Sequence, residues 1–426
     1  MAGDAGVTPV SRLRIALVAP PFVPVPPPTY AGTERIVATL ATGLHELGHR
    51  VTVYASGDSE LPCEVVPVVP EALWRSGYRG DGLAHLEKTL ARVWEHAADY
   101  DVIHSHLEAA TFLMARYCRT PVVTTLHRRL DVGGVSTLID HFPDIPLIAI
   151  SESQRRWNQD ANWIATIHHG LDFAATPIGD IPGEYLLFVG RISPEKGVVE
   201  AIEVATRTGR RLVMAAKVYE RDEQALFESA VRPAIEAGDV DWRGEVGTRE
   251  RDRLMAGALA TLMLGGWPEP FGLVAIESMA TGTPVIARRA GGCTETIEHG
   301  SSGFLVDDID EAVHAVSRLG TLHRHHIAAY ARGRFSAERM VARYEQVYEL
   351  LVAQRGLGLS QAAEAPLTGR AVSNDTQLPR RASIATSVSP ERSTRGATPR
   401  TGRRTAARAR TGAAARSTRG RLDKAS

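Results

Sequence analysis

Short apolar runs alternating with amphipathic stretches organise the chain from Leu13 onward, and the same grammar starts a second time at Tyr185. Residues 13–19 read as a buried strand, 33–47 as a helix and 50–55 as a second strand. The helix rests on Ile36, Leu40, Leu44 and Leu47, spaced by three or four residues, with Gly48 as its stop. Strands that alternate with helices in this way pair in parallel and are covered on both faces. Residues 20–28 contain six prolines, which exclude a helix or a central strand and leave a loop at the carboxyl end of the first strand.

Further strands are predicted at 102–106, 122–127 and 147–151, with a helix over 83–97 between the earlier ones. The first half ends near Asp172. After a polar stretch at 177–183, strands are expected at 185–190, 212–216, 261–264 and 284–287. They alternate with helices over 196–208, 224–237, 250–257 and 271–281. Two parallel sheets imply two doubly wound units, each binding ligands at the carboxyl ends of its strands, with a cleft between them. The expected division is 11–174, 175–335, a last helix within 336–354 whose apolar face (Met340, Tyr344, Val347, Leu351) needs a surface to cover, and a tail, 355–426.

The charge balance separates the tail from the rest. The whole chain sums to zero, yet residues 355–426 hold 15 Lys/Arg against 4 Asp/Glu, so the first 354 residues carry −11. The tail is rich in Arg, Ala, Thr, Ser and Gly and poor in large apolar residues, a composition that predicts disorder; it reads as a solvated appendage with no specific role or, alternatively, as a weak contact for anionic surfaces, with no specific nucleic acid implied. No run approaches the roughly 18 apolar residues of a membrane span, and residues 1–9 lack the apolar core of a secretory signal. The expected location is the cytoplasm, with peripheral membrane contact through the tail. Cys63, Cys118 and Cys293 are odd in number, widely spaced and without a CxxC pair, so a disulfide framework or zinc site is not expected.

The most informative segment is EPFGLVAIE, residues 269–277, which follows a strand and opens a helix. Pro270 and Gly272 favour a tight turn there, leaving the amides of Phe271, Gly272 and Leu273 without intrahelical partners and able to bind a phosphate. Glu269 and Glu277 stand eight residues apart, roughly 12 Å along a helix. That span suits the two ends of a sugar diphosphate nucleoside, with Glu269 toward sugar hydroxyls and Glu277 toward the ribose diol. On their own the two carboxylates also fit an N-terminal helix charge and a solvent-facing helix residue. The loop GRISPEKG, residues 190–197, leaves the same sheet edge. Its Arg191 and Lys196 offer a forked donor set and a compact charge for a diphosphate, or form a solvated basic turn.

These ordered motifs, with TGTPVI at 281–286 and the pair Gly291-Gly292 leading to Glu295, resemble the retaining glycosyltransferases of family GT4 over residues 13–352. The resemblance implies the GT-B fold: two Rossmann-like doubly wound domains facing across a cleft, with a C-terminal helix crossing back. It implies that Arg191 and Lys196 bind the donor diphosphate, that Glu269 contacts the sugar and Glu277 the ribose, and that backbone around Arg243 and Val246 reads the base. It places Gly32 and Thr33 at the donor phosphates, although Ala31 stands where the family usually has glycine. It also places His127 opposite the donor sugar, and leaves His104 and His106 as packing or cleft-wall residues. His168-His169 occupies the interdomain position and reads as a hinge contact. Asp99 and Asp101 resemble a metal pair of another fold but sit at a strand start, so no metal or other cofactor is expected.

The resulting expectation is a retaining hexosyltransferase using a nucleotide-sugar donor, UDP-glucose first and GDP-mannose second. Its acceptor would be a saccharide, a lipid or a small metabolite. A GT-B epimerase or phosphorylase, and a catalytically silent sugar-nucleotide binder, are the alternatives. A dinucleotide-dependent dehydrogenase is disfavoured because no GxGxxG follows any predicted strand.

Overall fold

The computed structural model describes residues 12–356 apart from 79, 81 and 182, so the expectations for residues 1–9 and for the basic tail beyond Gly356 lie outside the described residues. Thirteen strands form two all-parallel sheets. The first contains β1 (Arg14–Val18), β2 (Arg50–Ser56), β3 (Glu64–Val69), β4 (Val102–Ser105), β5 (Val122–Thr125), β6 (Leu147–Ala149) and β7 (Trp163–Thr166), in the order β3-β2-β1-β4-β5-β6-β7. The second contains β8 (Tyr185–Arg191), β9 (Arg211–Lys217), β10 (Val240–Trp242), β11 (Ala260–Met263), β12 (Val285–Arg288) and β13 (Gly303–Val306), in the order β10-β9-β8-β11-β12-β13.

In each sheet the strand order reverses beside its first strand, between β1 and β4 and between β8 and β11. Parallel sheets open a crevice for ligands at such points. The helix Gly32–Glu46 covers the first sheet with Ile36, Val37, Leu40, Ala41 and Leu44. Leu47, expected on that face, is instead the C-cap and is exposed, because Gly48 (φ +88°) turns the chain before another helical turn can form.

The last helix, Ala337–Gly356, returns from the second half to the first. Its Tyr344 and Tyr348 are fully buried and hydrogen-bond Thr125 (3.1 Å) and His104 (2.7 Å) at the ends of β5 and β4. Glu345 pairs with the buried His49 at 2.9 Å. Gly43 admits Val341 so closely that an added Cβ would stand 2.5 Å from a Val341 methyl. One apolar core therefore runs through both halves, from Leu17 and Ile36 to Phe271, Tyr344 and Leu351. Burial at such a joint ties the halves together. Among the described residues, no helix is long and apolar enough to cross a membrane.

Candidate active site

A cavity of about 710 Å³ opens where the two switch points face one another, at the carboxyl ends of β1, β4, β8 and β11. Arg191, Lys196 and Glu269 border it from the second half, and Gly32, Thr33 and Glu34 from the first.

Glycines bring the second-half residues together. The turn Pro194–Lys196 ends at Gly197, whose φ of +75° is left-handed. A Cβ on Gly197 would stand 2.3 Å from the amide nitrogen of Gly265, and one on Gly265 would stand 1.9 Å from the carbonyl oxygen of Glu195. The loop thus lies backbone against backbone on the end of β11, which carries Lys196 to an ion pair with Glu269. Arg191 lies at the end of β8, half exposed, with its guanidinium held by Glu223 at 2.8 Å and Glu195 at 2.9 Å.

Gly291-Gly292 performs the same service for Glu269. The Gly292 amide donates to the Glu269 carbonyl at 2.7 Å, and a Cβ on Gly292 would come within 2.5 Å of the Phe271 Cα. Gly272, at φ +95°, caps a helix that begins only at Leu273. Phe271, Gly272 and Leu273 stand behind the cavity wall rather than on it. The Phe271 ring is taken up by His168, His169 and Phe335, and Leu273 approaches Gly32.

Glu277 also departs from its expected place. The helix Leu273–Ala280 buries every residue from Val274 to Ala280, so it has no solvent face. Glu277 is 3% exposed and is ion-paired with Arg35 of the first half and, at 3.0 Å, with Arg251. It neither faces solvent nor borders the cavity. Val246 lies on the loop after β10 and off the wall, although the neighbouring Glu245 pairs at 3.5 Å with Lys217, which borders it.

The histidines are rearranged from the expected pattern. His106 borders the cavity, and its buried Nε2 has no hydrogen-bond partner among the described residues. Its Nδ1 shares a hydrogen bond with His127 Nε2 at 2.9 Å. His127 lies one layer back, stacked on His169 with ring centroids 5.3 Å apart. Geometry therefore gives His106 the cavity-facing place expected of His127, because stacking on His169 turns His127 inward. Burial lowers His127 and His104 to about 3 and puts His106 and His169 well below the ordinary imidazole range, which keeps all four neutral. His104 is a packing residue between Tyr348 and Thr125, as its neighbours require.

Two wall carboxylates escaped the sequence reading. Glu108 holds φ +53°, accepts the His127 amide on one oxygen at 3.0 Å and leaves the other without a partner. Glu34 lies in the first turn of its helix, 7% exposed. Burial pushes both carboxyls up to about 7. The only sequence signal for Glu108 was its place two residues beyond His106, past a strand end. Cys293 also borders the cavity, its thiol pushed up to about 12 by burial. Asp101 pairs with Arg14 at 2.8 Å at the start of β1, away from this wall. His168 Nε2 bonds Glu295 at 3.0 Å.

The family described as Glycosyltransferase Family 4 matches residues 30–174, and Glycosyl transferases group 1 matches residues 180–334. A D-inositol 3-phosphate glycosyltransferase of Mycolicibacterium smegmatis is 28% identical over 328 residues, covering 66% of this chain and 76% of its own length. A phosphatidyl-myo-inositol mannosyltransferase of the same organism is 29% identical over 366 residues, 78% of this chain and 90% of its own. Among solved structures, AviGT4, a glycosyltransferase involved in avilamycin A biosynthesis, is 27% identical with a TM-score of 0.60, covering 80% of this chain and 98% of that one. The Anabaena protein HepE, in complex with UDP and glucose, shares the fold at 20% identity and a TM-score of 0.63, covering 79% of this chain and 100% of that one. With both halves matched and their switch points facing one cavity, the chain belongs to the GT-B glycosyltransferases of family GT4.

Proposed function

We propose that the chain is a retaining hexosyltransferase that takes its sugar from a nucleoside diphosphate donor bound in the 710 Å³ cavity. The observation that carries this reading is the meeting of Lys196 with Glu269 at the end of β11, beside Arg191. The cations rest on carboxylates: Lys196 on Glu269, Arg191 on Glu195 and Glu223. A diphosphate is a stronger partner for a forked guanidinium than a single carboxylate oxygen, so the donor draws Arg191 and Lys196 onto its phosphates. Glu269 is then released toward the sugar hydroxyls, and the backbone at Gly32 and Thr33 closes on the phosphates from the opposite wall.

In the reaction, the bond between the anomeric carbon and the β-phosphate oxygen breaks, and its electron pair leaves with the nucleoside diphosphate. The acceptor oxygen bonds to the anomeric carbon on the same face, and its proton passes to the departing phosphate. Two fixed cations stabilise the charge that builds on the leaving group, which makes the chemistry metal-independent. His106, neutral and without a partner at Nε2, offers a hydrogen bond to the sugar or acceptor, with His127 behind it as a positioning residue. UDP-glucose is the first donor to test and GDP-mannose the second. The acceptor is a hydroxyl compound: a saccharide, a lipid or a small metabolite.

Thermal stabilisation by a panel of nucleoside diphosphates and their sugars selects the donor. Donor turnover is then followed by NMR with candidate acceptors, and the anomeric coupling of the product is read. An inverted anomeric centre, or interconversion of the donor sugar without an acceptor, would remove the reading.

A further inference from the structure

A second cavity, of about 610 Å³, lies where the end of β7, the segment around Glu295 and the start of the crossover helix meet. It is separate from the donor cavity, which none of its lining residues borders. Three arginines line it: Arg334, Arg339 and Arg343. None of them is ion-paired among the described residues, and all are exposed. Arg334 touches the Glu295 carbonyl at 3.4 Å and lies over the rings of Tyr330 and Phe335. Arg339 and Arg343 are like charges four residues apart on one helix, an arrangement that costs stability unless an anion lies between them.

The carboxylates nearby do not supply that anion. Glu295 is already occupied by the amides of Glu152 (2.9 Å) and Ser153 (2.7 Å) and by His168 Nε2 (3.0 Å). Glu152 is exposed. Two further lining groups are buried and lack hydrogen-bond partners among the described residues: Nδ1 of His169, a residue 3% exposed, and Oγ1 of Thr166. Buried polar atoms of this kind are ordinarily satisfied, so their presence beside unpaired cations marks a place for a polar anionic ligand. The amino end of the twenty-residue crossover helix, at Ser336, adds its positive dipole to the same wall.

We propose that this hinge cavity binds the phosphate ester of a small polar metabolite. Arg339 and Arg343 take the phosphate, with the Thr166 hydroxyl and a His169 Nδ1–H reaching the rest of the ligand. The volume lies within the range of small-metabolite sites. Its walls come from both halves and from the helix that joins them, so occupancy is linked to the closure of the donor cavity, and the linkage acts in both directions.

Calorimetric titration of the full chain with glucose 6-phosphate, and with glucose as the uncharged control, tests this site. Glucose 6-phosphate is expected to bind and glucose not. In R339A/R343A, two exposed positions, with the fold verified by circular dichroism, affinity should fall at least about tenfold. In Thr166→Val it should fall by a smaller factor. In R191A/K196A, which disables the donor cavity, it should persist. Equal binding by wild type and R339A/R343A, loss confined to R191A/K196A, or no binding by wild type at about 10 mM ligand would each overturn the proposal.

Discussion

Arg35, on the first helix of the first half, is ion-paired with Glu277 on a helix of the second, and Arg251 reaches the same carboxylate oxygen, Oε1, at 3.0 Å. One buried carboxylate oxygen thus joins two cations contributed by different halves. Burial, together with the neighbouring Arg251 charge, lowers Arg35 to about 10. Glu277→Ala removes the one carboxylate paired with Arg35 among the described residues, while Arg251 keeps Asp252 at 2.8 Å, and should cost about 3–5 kcal/mol in urea unfolding. Arg35→Ala leaves Glu277 paired with Arg251 and should cost clearly less. Equal losses would mean that Arg251 alone does not satisfy the carboxylate.

Lys196→Ala should lower sugar transfer by roughly 10²–10³ through lost stabilisation of the leaving diphosphate. Lys196→Arg should restore little, because a planar guanidinium fork does not reproduce the compact point charge of an ammonium at one position on the diphosphate. The check is kcat and donor KM for both variants at saturating acceptor. Unchanged kcat in Lys196→Ala would place the diphosphate elsewhere.

Acid should destabilise the fold below about pH 6.5, and the sign follows from the imidazoles. His104, His106, His127 and His169 are held neutral by burial, so on acidification the unfolded chain takes up protons that the folded chain does not. Stability contributed by these four is present above the unfolded imidazole pKa and is lost as pH falls through it. Glu34 and Glu108 act the other way: raised to about 7, they favour the folded state at low pH and lose that contribution as pH rises from the ordinary carboxylate range to 7. Where the windows overlap, four imidazoles outweigh two carboxyls. Urea midpoints at pH 5, 6 and 7 should therefore rise with pH up to about 6.5, with a slope of roughly two protons. A flat profile would require charged imidazoles in the folded protein.

The same physics decides what could be read in advance. The central strands were legible as short, mostly apolar runs, since a parallel strand buried on both faces has no solvent side; β4 and β5 also bury His104, Ser105, Thr124 and Thr125. The four strands missed, β3, β7, β10 and β13, are the edges of the two sheets. β3 contains Pro67 and a register shift opposite Ala55 and Ser56, and β10 is only three residues long with Asp241 in its middle. Such edges carry little local signal. Arg191, Lys196 and Glu269 were legible because glycines and a proline at fixed offsets mark their turns. The inward turn of His127 and the burial of Glu277 were not, because each depends on a partner more than 25 residues away in sequence: His169 in one case, Arg35 and Arg251 in the other.

Gly292→Ala isolates the role of the glycine pair from overall stability. Gly292 is not in a left-handed conformation, so backbone strain is not the issue; its φ is −64°. The obstacle is space, since the added methyl would sit 2.5 Å from the Phe271 Cα and 2.6 Å from the Phe271 carbonyl oxygen. Those are backbone atoms of the turn that carries Glu269, and they can move only by displacing that turn. A shift of about 1 Å at a reacting centre is enough to lower the rate by about 10². Gly333→Ala is the matched control: a helical glycine with nothing within 4 Å of its added Cβ, for which a neutral or slightly stabilising effect of about 0.4–1 kcal/mol is expected. Gly292→Ala should thus lose most transfer activity and raise donor KM, while Gly333→Ala retains both. If Gly292→Ala kept full activity, the Glu269 turn would not need the glycine contact that positions it here.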